Sequence, residues 1–173
     1  MDVFEAIKNR RSIRVFEAKK VSDEQVEMLI DAARHAPSAG NIQPWEFVIV
    51  RDPQIKQQLS AAALNQAFIE EAPVVIVVCA NEARSNQGYG SRGVNLYCIQ
   101  DTAAAIQNML LAAHAMRLGT CWVGAFREDM ARKTLKTPNH VRPVAIVPVG
   151  YPSEKPTSRR RREISEIVHQ ETF

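Results

Sequence analysis

The segment Arg10-Arg11-Ser12-Ile13-Arg14 places three guanidinium groups and one hydroxyl within five residues. The planar fork of an arginine side chain can donate two parallel hydrogen bonds, so such a segment suits a phosphate or a planar ring with many acceptor atoms. A basic run at the end of a helix is, however, more often a solvated surface than a binding site. The segment therefore needs support from other parts of the chain.

A second basic cluster, formed by Lys155 and residues 159–162, supplies five of the 22 basic residues. The other 17 basic residues face 19 acidic ones, so the net charge of +3 arises in this part of the chain. Proteins that bind nucleic acids more often spread positive charge over a face and interleave aromatic residues with it. Because only 6% of the residues are aromatic and none lies in this cluster, we predict no nucleic-acid partner.

Cysteine and histidine residues give no sign of a disulfide framework or a metal site. Cys79, Cys98 and Cys121 are odd in number and lack a C-x-x-C spacing, which is typical of a reducing compartment. The four histidines lack a ligand spacing such as H-E-x-x-H. The N-terminus has no signal-peptide pattern, and no apolar run is long enough to span a membrane. We therefore predict no metal, no membrane contact and a cytoplasmic location.

No familiar nucleophile or nucleotide-binding motif is present either. Gly88-Tyr89-Gly90-Ser91-Arg92-Gly93 matches G-x-G-x-x-G by its letters. It follows the polar residues 81–87 rather than a strand, and no acidic residue stands roughly 20 positions further on. We interpret the match as a coincidence within a loop. An enzyme with this sequence would take its reactive group from a cofactor.

The chain alternates between predicted helices and strands. With 46% hydrophobic residues, the 173 residues suit one domain, 1–173, with one substantial core. Helices are predicted over residues 3–10, from Ser22 (with Gln25 completing a capping box) to Pro37, and from Asp52-Pro53. Strands are predicted over residues 46–50, 74–79, 121–126 and 144–149, and residues 81–93 are predicted to be a flexible loop. These elements predict an α+β or α/β sandwich, with helices on both faces of about four strands.

A long helix is predicted over residues 94–117, with Gly119 as its C-terminal cap. Between residues 103 and 116 it is apolar on nearly every side. A helix of this kind must be buried all round, at the centre of the domain or in a subunit interface. Because a domain of this size can hardly cover it alone, we predict a homodimer.

Several motifs, in this order and spacing, together resemble the flavin-dependent nitroreductase family. The resemblance covers residues 3–169, and its motifs are Arg10-Arg11-Ser12-x-Arg14-x-Phe16, Ala36-Pro37-Ser38-Ala39-Gly40-Asn41-x-Gln43-Pro44-Trp45, Ala72-Pro73, Gln107-Asn108, residues 118–126 and Gly150-Tyr151-Pro152. It implies an α+β nitroreductase-like fold, a three-layer sandwich with a small central sheet flanked by helices, in a dimer. It also implies FMN at the subunit interface and transfer of a hydride from NAD(P)H to a small electron-poor acceptor.

The resemblance further implies which residues bind FMN. The phosphate, ribityl chain and pyrimidine edge are held by Arg10, Arg11, Ser12 and Arg14. The other side of the ring is lined, from the partner subunit, by Pro37, Ser38, Ala39 and Asn41. An amide side chain near the flavin is supplied by Asn65, and backbone groups near its N5 edge by Val123 and Gly124. Arg159 and Arg161 contact the phosphate from the C-terminal part of the chain, although any of residues 159–162 could make this contact. One phosphate thus accounts for both basic clusters.

Each of these residues also has a plainer interpretation. Residues 38–43 could form an ordinary loop, Asn65 could lie on a helix surface, and residues 159–162 could be a solvated end of the chain. Trp45 and Trp122 could be core aromatics, and for Trp45 we favour that interpretation.

The function that the resemblance implies is reduction of nitroaromatics, quinones or similar acceptors in a ping-pong cycle, with residues 81–93 as the mobile wall of an open pocket. No side chain is predicted as a general acid. The alternatives are a non-catalytic module that holds flavin or a nucleotide, and other chemistry on the same fold, such as dehalogenation or dehydrogenation.

Overall fold

A four-stranded antiparallel sheet lies at the centre of the computed structural model, which describes residues 1–173. Its strands are β1 (Trp45–Val50), β2 (Val74–Asn81), β3 (Gly119–Thr120) and β4 (Val141–Gly150), in the spatial order β1-β2-β4-β3. Every residue of β2 but the last is buried, because valine, isoleucine and cysteine side chains fill both faces of the strand. The prediction of a central strand covered on both faces is confirmed.

Seven α-helices surround the sheet. They are α1 (Val3–Asn9), α2 (Asp23–Arg34), α3 (Pro53–Ala62), α4 (Phe68–Glu71), α5 (Glu82–Arg92), α6 (Cys98–Ala115) and α7 (Glu128–Leu135). Helices α2 and α6 pack against one face of β2, through Val74, Ile76 and Val78, while α3, α4 and α7 pack against Val75 and Val77 on the other. The chain thus forms three layers, and the α+β three-layer sandwich is confirmed.

Two helix starts follow from local side-chain signals. Ser22 Oγ accepts a hydrogen bond from the Gln25 backbone N–H (3.2 Å), and Gln25 Oε1 accepts one from the Ser22 N–H (3.0 Å). The Asp52 carboxylate accepts hydrogen bonds from two N–H groups at the start of α3, where Pro53 is the first residue. Both caps satisfy donors that a helix leaves free at its start. Both predicted starts are confirmed, although α2 ends at Arg34.

Residues 81–93, predicted as a loop, instead lie almost entirely in α5 (Glu82–Arg92), so that prediction is wrong. Asn81 starts the helix, because its side chain accepts a hydrogen bond from the backbone N–H of a residue in the first turn (3.0 Å). Only Gly90 departs from helical geometry, with φ of 54° and ψ of −141°. A Cβ on Gly93 would overlap the Ser85 carbonyl. This glycine permits close backbone packing.

The segment after α6 is less regular than predicted. Helix α6 ends at Ala115, close to the predicted end near Arg117, but the left-handed residue beyond it is Arg117 itself (φ 61°), so the predicted cap at Gly119 is wrong. Gly119 lies in β3 instead. Residues 121–126 do not form the predicted strand, because the backbone leaves β4 and only Val123 pairs with it, through hydrogen bonds of 2.9 and 3.0 Å.

Helix α6 buries one face against the sheet. Ile106, Met109 and Leu110 are buried, whereas Gln107 and Ala115 are exposed. Helix α6 therefore belongs to the core of the domain but is not buried on all sides by its own chain, and its burial in a subunit interface stays a prediction. No helix combines the length and the apolar character needed to cross a membrane.

Candidate functional site

The arginine-rich segment runs beside the short strand β3. The Ile13 N–H donates a hydrogen bond to the Thr120 carbonyl (2.9 Å), and Ser12 forms a parallel bridge with the same residue. The Ile13 side chain is buried against Gly119. Because successive side chains of an extended segment point to opposite sides, Ser12 and Arg14 face away from the core.

Two stretches of chain that are far apart in sequence form one polar cavity of about 300 Å³, which we call the arginine cavity. Basic side chains dominate its lining, which consists of Arg10, Arg11, Ser12, Arg14, Pro156, Thr157, Arg159 and Arg161. Six of the residues predicted from the sequence therefore meet at one place. Among residues 159–162, it is Arg159 and Arg161 that line the cavity.

The guanidinium groups of the arginine cavity have no acidic partners. No carboxylate oxygen lies within 4.0 Å of any of the five, whereas the neighbouring Arg160 reaches Glu163 at 3.9 Å. Burial, followed by the charges of Arg11 and Arg161, lowers the pKa of Arg10. Clustered positive charge without compensation favours the binding of an anion, because charge-assisted hydrogen bonds then replace repulsion.

Glu154 fixes the backbone that carries Arg14. One of its carboxylate oxygens accepts hydrogen bonds from the N–H groups of Arg14 (2.5 Å) and Val15 (3.1 Å). The Ser153 N–H donates to the Val15 carbonyl (2.9 Å), so the C-terminal segment is bound to the N-terminal one. The Arg14 guanidinium lies 5.7 Å from the centre of the Phe68 ring, within cation–π distance. Glu154 could not be identified from the sequence, because a single acidic residue belongs to no motif.

Residues 37–43, which we call the 37–43 loop, form a tight turn on another part of the chain. Gly40, Asn41 and Gln43 have positive φ angles of 56°, 56° and 54°. Ser38 Oγ accepts a hydrogen bond from the Gln43 N–H (3.0 Å), and Gln43 Nε2 donates one to Asn41 Oδ1 (3.2 Å). The arginine cavity of the same chain is lined by none of the loop's predicted cofactor residues, Pro37, Ser38, Ala39 and Asn41. Their place beside a cofactor depends on a partner subunit and stays a prediction.

Val123, Gly124 and Asn65 lie in different surroundings. Val123 is buried and its backbone is paired with β4. Gly124 is exposed, and a Cβ built on it would meet no atom within 4 Å, so the space beside its backbone is open. Asn65, with φ of 60°, lines another cavity together with Gln57 and Glu70. The structure does not bring Asn65 to the arginine cavity of its own chain, and its role stays a prediction.

The buried tryptophan and cysteine residues singled out from the sequence are structural. Trp45 is 7% exposed and belongs to the core, as predicted, whereas Trp122 is 39% exposed. Burial raises the pKa of the Cys79 thiol to about 12 and also raises the pKa of Cys121. Because the thiolate and not the thiol is the nucleophile, neither cysteine is a candidate for covalent catalysis. No group of three His, Cys, Asp or Glu side chains is placed to hold a metal ion.

Known protein sequences are similar to this chain over most of its length. The model of the Nitroreductase family matches residues 7–68 and 58–151. A Methanothermobacter thermautotrophicus protein with the provisional name NADH dehydrogenase/NAD(P)H nitroreductase is 36% identical over 163 residues, which span 92% of this chain and 82% of the relative. The FMN reductase (NADPH) of Bacillus subtilis is 30% identical over 185 residues, which span 99% of this chain and 74% of the relative.

Solved structures share the fold. The NADPH:FMN oxidoreductase of Vibrio harveyi, complexed with NAD+, has a TM-score of 0.91 at 28% identity, over 99% of this chain and 77% of its own. The NfrA1 nitroreductase of Bacillus subtilis has a TM-score of 0.90 at 30% identity, over 99% of this chain and 74% of its own. From its motifs, its fold and these relatives, the chain belongs to the nitroreductase family.

Proposed function

We propose that this protein is an FMN-dependent oxidoreductase that takes a hydride from NAD(P)H and reduces nitroaromatics, quinones or similar electron-poor acceptors. Membership of the nitroreductase family supports an enzyme of this class, as do relatives named FMN reductase and NAD(P)H nitroreductase. The observation that carries the proposal is the arginine cavity, in which two distant basic clusters surround one space without any carboxylate partner.

The residues of the arginine cavity fit the phosphate end of FMN. Arg10, Arg159 and Arg161 supply positive charge that no carboxylate neutralises, and the Ser12 hydroxyl lies at the same cavity. Guanidinium groups bind phosphate through strong and often bidentate hydrogen bonds. The open space beside Gly124 leaves room for a flat ring against the backbone. When bound, FMN supplies the redox chemistry, since its ring accepts a hydride and passes the electrons on.

The chain's own residues bind and orient the reactants. The buried thiols are protonated, and we propose no side chain as a general acid. NAD(P)H and the acceptor use one site in turn, which is a ping-pong cycle. Because nearly all of residues 81–93 lie in α5, the mobile wall predicted there is not part of this proposal.

Steady-state kinetics test the proposed function. The protein loaded with FMN is expected to oxidise NADH or NADPH with menadione or a nitroaromatic compound as acceptor. Double-reciprocal plots at several acceptor concentrations are expected to be parallel, because the two substrates share one site. Intersecting lines would argue against the shared site. A yellow protein without acceptor-dependent oxidation would instead identify a module that holds flavin without turnover.

We also propose a homodimer with two composite sites. The 37–43 loop does not line the arginine cavity of its own chain, and the family resemblance places this loop at the cofactor of the partner subunit. Large apolar side chains are exposed on α1, where Phe4 is 67% and Ile7 is 53% exposed, and near the C-terminus, where Ile164 is 75% exposed. Exposed apolar patches mark interaction surfaces, and obligate dimer interfaces bury roughly 2,000 Å² or more.

Sedimentation at micromolar protein concentration is expected to show a dimer that carries flavin. Phe4→Glu is expected to weaken the dimer, because it places a charge on the exposed apolar face of α1, and to lower flavin retention with it. A wild-type monomer that still carries flavin would refute the composite site.

Arg14 is expected to tune the cofactor electronically. The family pattern places this residue near N1 and the C2 carbonyl, where reduction leaves negative charge, and a fixed guanidinium favours that charge in a partly dry site. Arg14→Ala should therefore keep measurable FMN binding but lower the flavin reduction potential, by roughly 20 mV for each kcal/mol lost. Reduction by NAD(P)H should also slow. A titration against a reference dye measures the potential.

Arg10→Ala is the matched comparison for Arg14→Ala. Arg10 is expected to anchor the phosphate, so this variant should lose FMN while the potential of its remaining bound fraction stays nearly unchanged. If Arg14→Ala has the wild-type potential, the electronic role is wrong. Arg14 is then only a charge on the turn towards Phe16, packed on the Phe68 ring.

A further inference from the structure

The 37–43 loop has a conformation that needs support from the rest of the protein. Asn41 and Gln43 have φ angles of 56° and 54° although neither is glycine, and such angles cost free energy for residues with a side chain. The hydrogen bonds within the loop join residues that are close in sequence. They fix its local shape, but they do not attach it to the domain.

Helix α5 supports the middle and the end of the loop. The Tyr89 side chain packs on Gly40, where an added Cβ would lie 2.7 Å from the Tyr89 hydroxyl oxygen. Arg84 Nη1 donates a hydrogen bond to the Gln43 carbonyl (2.7 Å). Helix α5, which lies where a mobile wall was predicted, therefore supports the 37–43 loop.

Asp101 of α6 supports the start of the loop. Its Oδ1 accepts a hydrogen bond from the Ala39 N–H (3.1 Å), a residue 62 positions away in sequence. Asp101 is only 7% exposed, and no Lys, Arg or His nitrogen lies within 4.0 Å of its carboxylate. Burial raises the pKa of Asp101, and the Ala39 N–H opposes this rise. A buried carboxylate without a cation destabilises a fold, so a residue of this kind is expected to serve a role that offsets the cost.

A role at the start of a helix does not account for Asp101. Acidic residues stabilise a first turn whose N–H groups are free. Helix α6, however, continues from the π-helical turn Gly93–Tyr97, and the Cys98 N–H already donates to the Gly93 carbonyl. The carboxylate of Asp101 bonds to the 37–43 loop instead.

We propose that Asp101 is a positioning residue which, by accepting the hydrogen bond from the Ala39 N–H, holds the 37–43 loop in the conformation that contacts FMN. This inference rests on the proposed function, because it requires the loop to lie against the cofactor. The requirement at position 101 is a hydrogen-bond acceptor of the right size. A neutral amide oxygen meets that requirement as well as a carboxylate does.

Two substitutions separate the acceptor from the charge. Asp101→Ala removes the acceptor and is expected to bind FMN about tenfold more weakly, or weaker still, in a flavin fluorescence titration. Asp101→Asn keeps an acceptor oxygen at the same place and is expected to stay within about threefold of the wild type. Asp129→Ala, which removes an exposed acid from the first turn of α7, is the control and should bind FMN as the wild type does.

Hydrogen exchange gives a readout that does not depend on turnover. The amides of residues 39–43 are expected to exchange faster in Asp101→Ala than in the wild type or Asp101→Asn, with and without FMN, while the amides of β2 stay unchanged. Wild-type affinity and wild-type exchange in Asp101→Ala would overturn the inference. An Asp101→Asn variant as weak as Asp101→Ala would overturn it as well. Failure of the wild-type protein to bind FMN would instead overturn the proposed function, and the exchange measurement would still test the anchoring.

Ala39→Pro tests the same hydrogen bond from the other side if Asp101→Ala does not fold. Proline removes the N–H donor and fixes a helical φ, which suits Ala39, and Ser38 before it is extended (ψ 153°), as a residue before proline prefers to be. The amides of residues 40–43 are expected to exchange faster in this variant than in the wild type, while the amides of β2 stay unchanged. Unchanged exchange in Ala39→Pro would overturn the inference.

Discussion

Riboflavin is expected to bind this protein about 10- to 100-fold more weakly than FMN, because the loss of one charge-assisted contact costs roughly 1.5–3 kcal/mol. Riboflavin lacks the phosphate, and the arginine cavity holds five guanidinium groups without a carboxylate partner. Fluorescence titration of the flavin-free protein with both ligands measures the difference. Equal affinities would show that the cavity does not hold the phosphate.

Variants of the cavity locate the effect. Arg161→Ala is expected to weaken FMN binding by a similar factor and to leave riboflavin binding unchanged, because only FMN carries the phosphate. Arg160→Ala is the matched control, since Arg160 does not line the cavity and reaches Glu163 instead. An equal loss of FMN affinity in both variants would mean that the general positive field, and not the cavity, attracts FMN.

Gly119→Ala is expected to lower the free energy of unfolding by about 1–3 kcal/mol, the usual cost of forcing extra volume into a packed site. An added Cβ would lie 2.8 Å from Ile13 Cβ and Cγ1 and 2.9 Å from its Cγ2. The segment that carries Ser12 and Arg14 must then move away from β3, so FMN affinity should fall as well. Urea denaturation and FMN titration measure the two effects.

Gly124→Ala is the matched control for Gly119→Ala. A Cβ at this position meets no atom within 4 Å, so the stability of the flavin-free protein should stay at the wild-type value. If the flavin ring lies against this backbone, FMN affinity should nevertheless fall. If Gly119→Ala has the wild-type free energy of unfolding, the segment at residues 10–14 can move away from β3 without a loss of stability.

Elements with a local signal could be predicted from the sequence. Ser22 with Gln25, and Asp52 with Pro53, act on N–H groups only two or three residues away, so the sequence contains the whole interaction. The buried strand β2 needs only its unbroken apolar run. The helix α5 could not be predicted in this way. Its glycines resemble those of a loop, and the close approach of Gly93 to Ser85 exists only in the folded chain.

The candidate site likewise contains some residues that could be predicted from the sequence and others that could not. The two arginine clusters carry a family motif, so their meeting around one cavity could be expected. Glu154 and Asp101 could not be found, because each acts on backbone N–H groups at least 62 positions away and neither belongs to a motif. The single chain does not bring the 37–43 loop to its own arginine cavity, so the predicted place of the loop beside the cofactor of a partner subunit stays a prediction.

The arginine cavity needs both ends of the chain. Its walls come from residues 10–14 and 156–161, and Glu154 and Ser153 join the later segment to the backbone at Arg14 and Val15. Contacts between such distant positions form late, because closing a long loop costs entropy first. During synthesis, the cavity cannot form until residue 161 has left the ribosome. An anion bound there joins two segments that are separated by most of the chain, and so acts as a reversible cross-link.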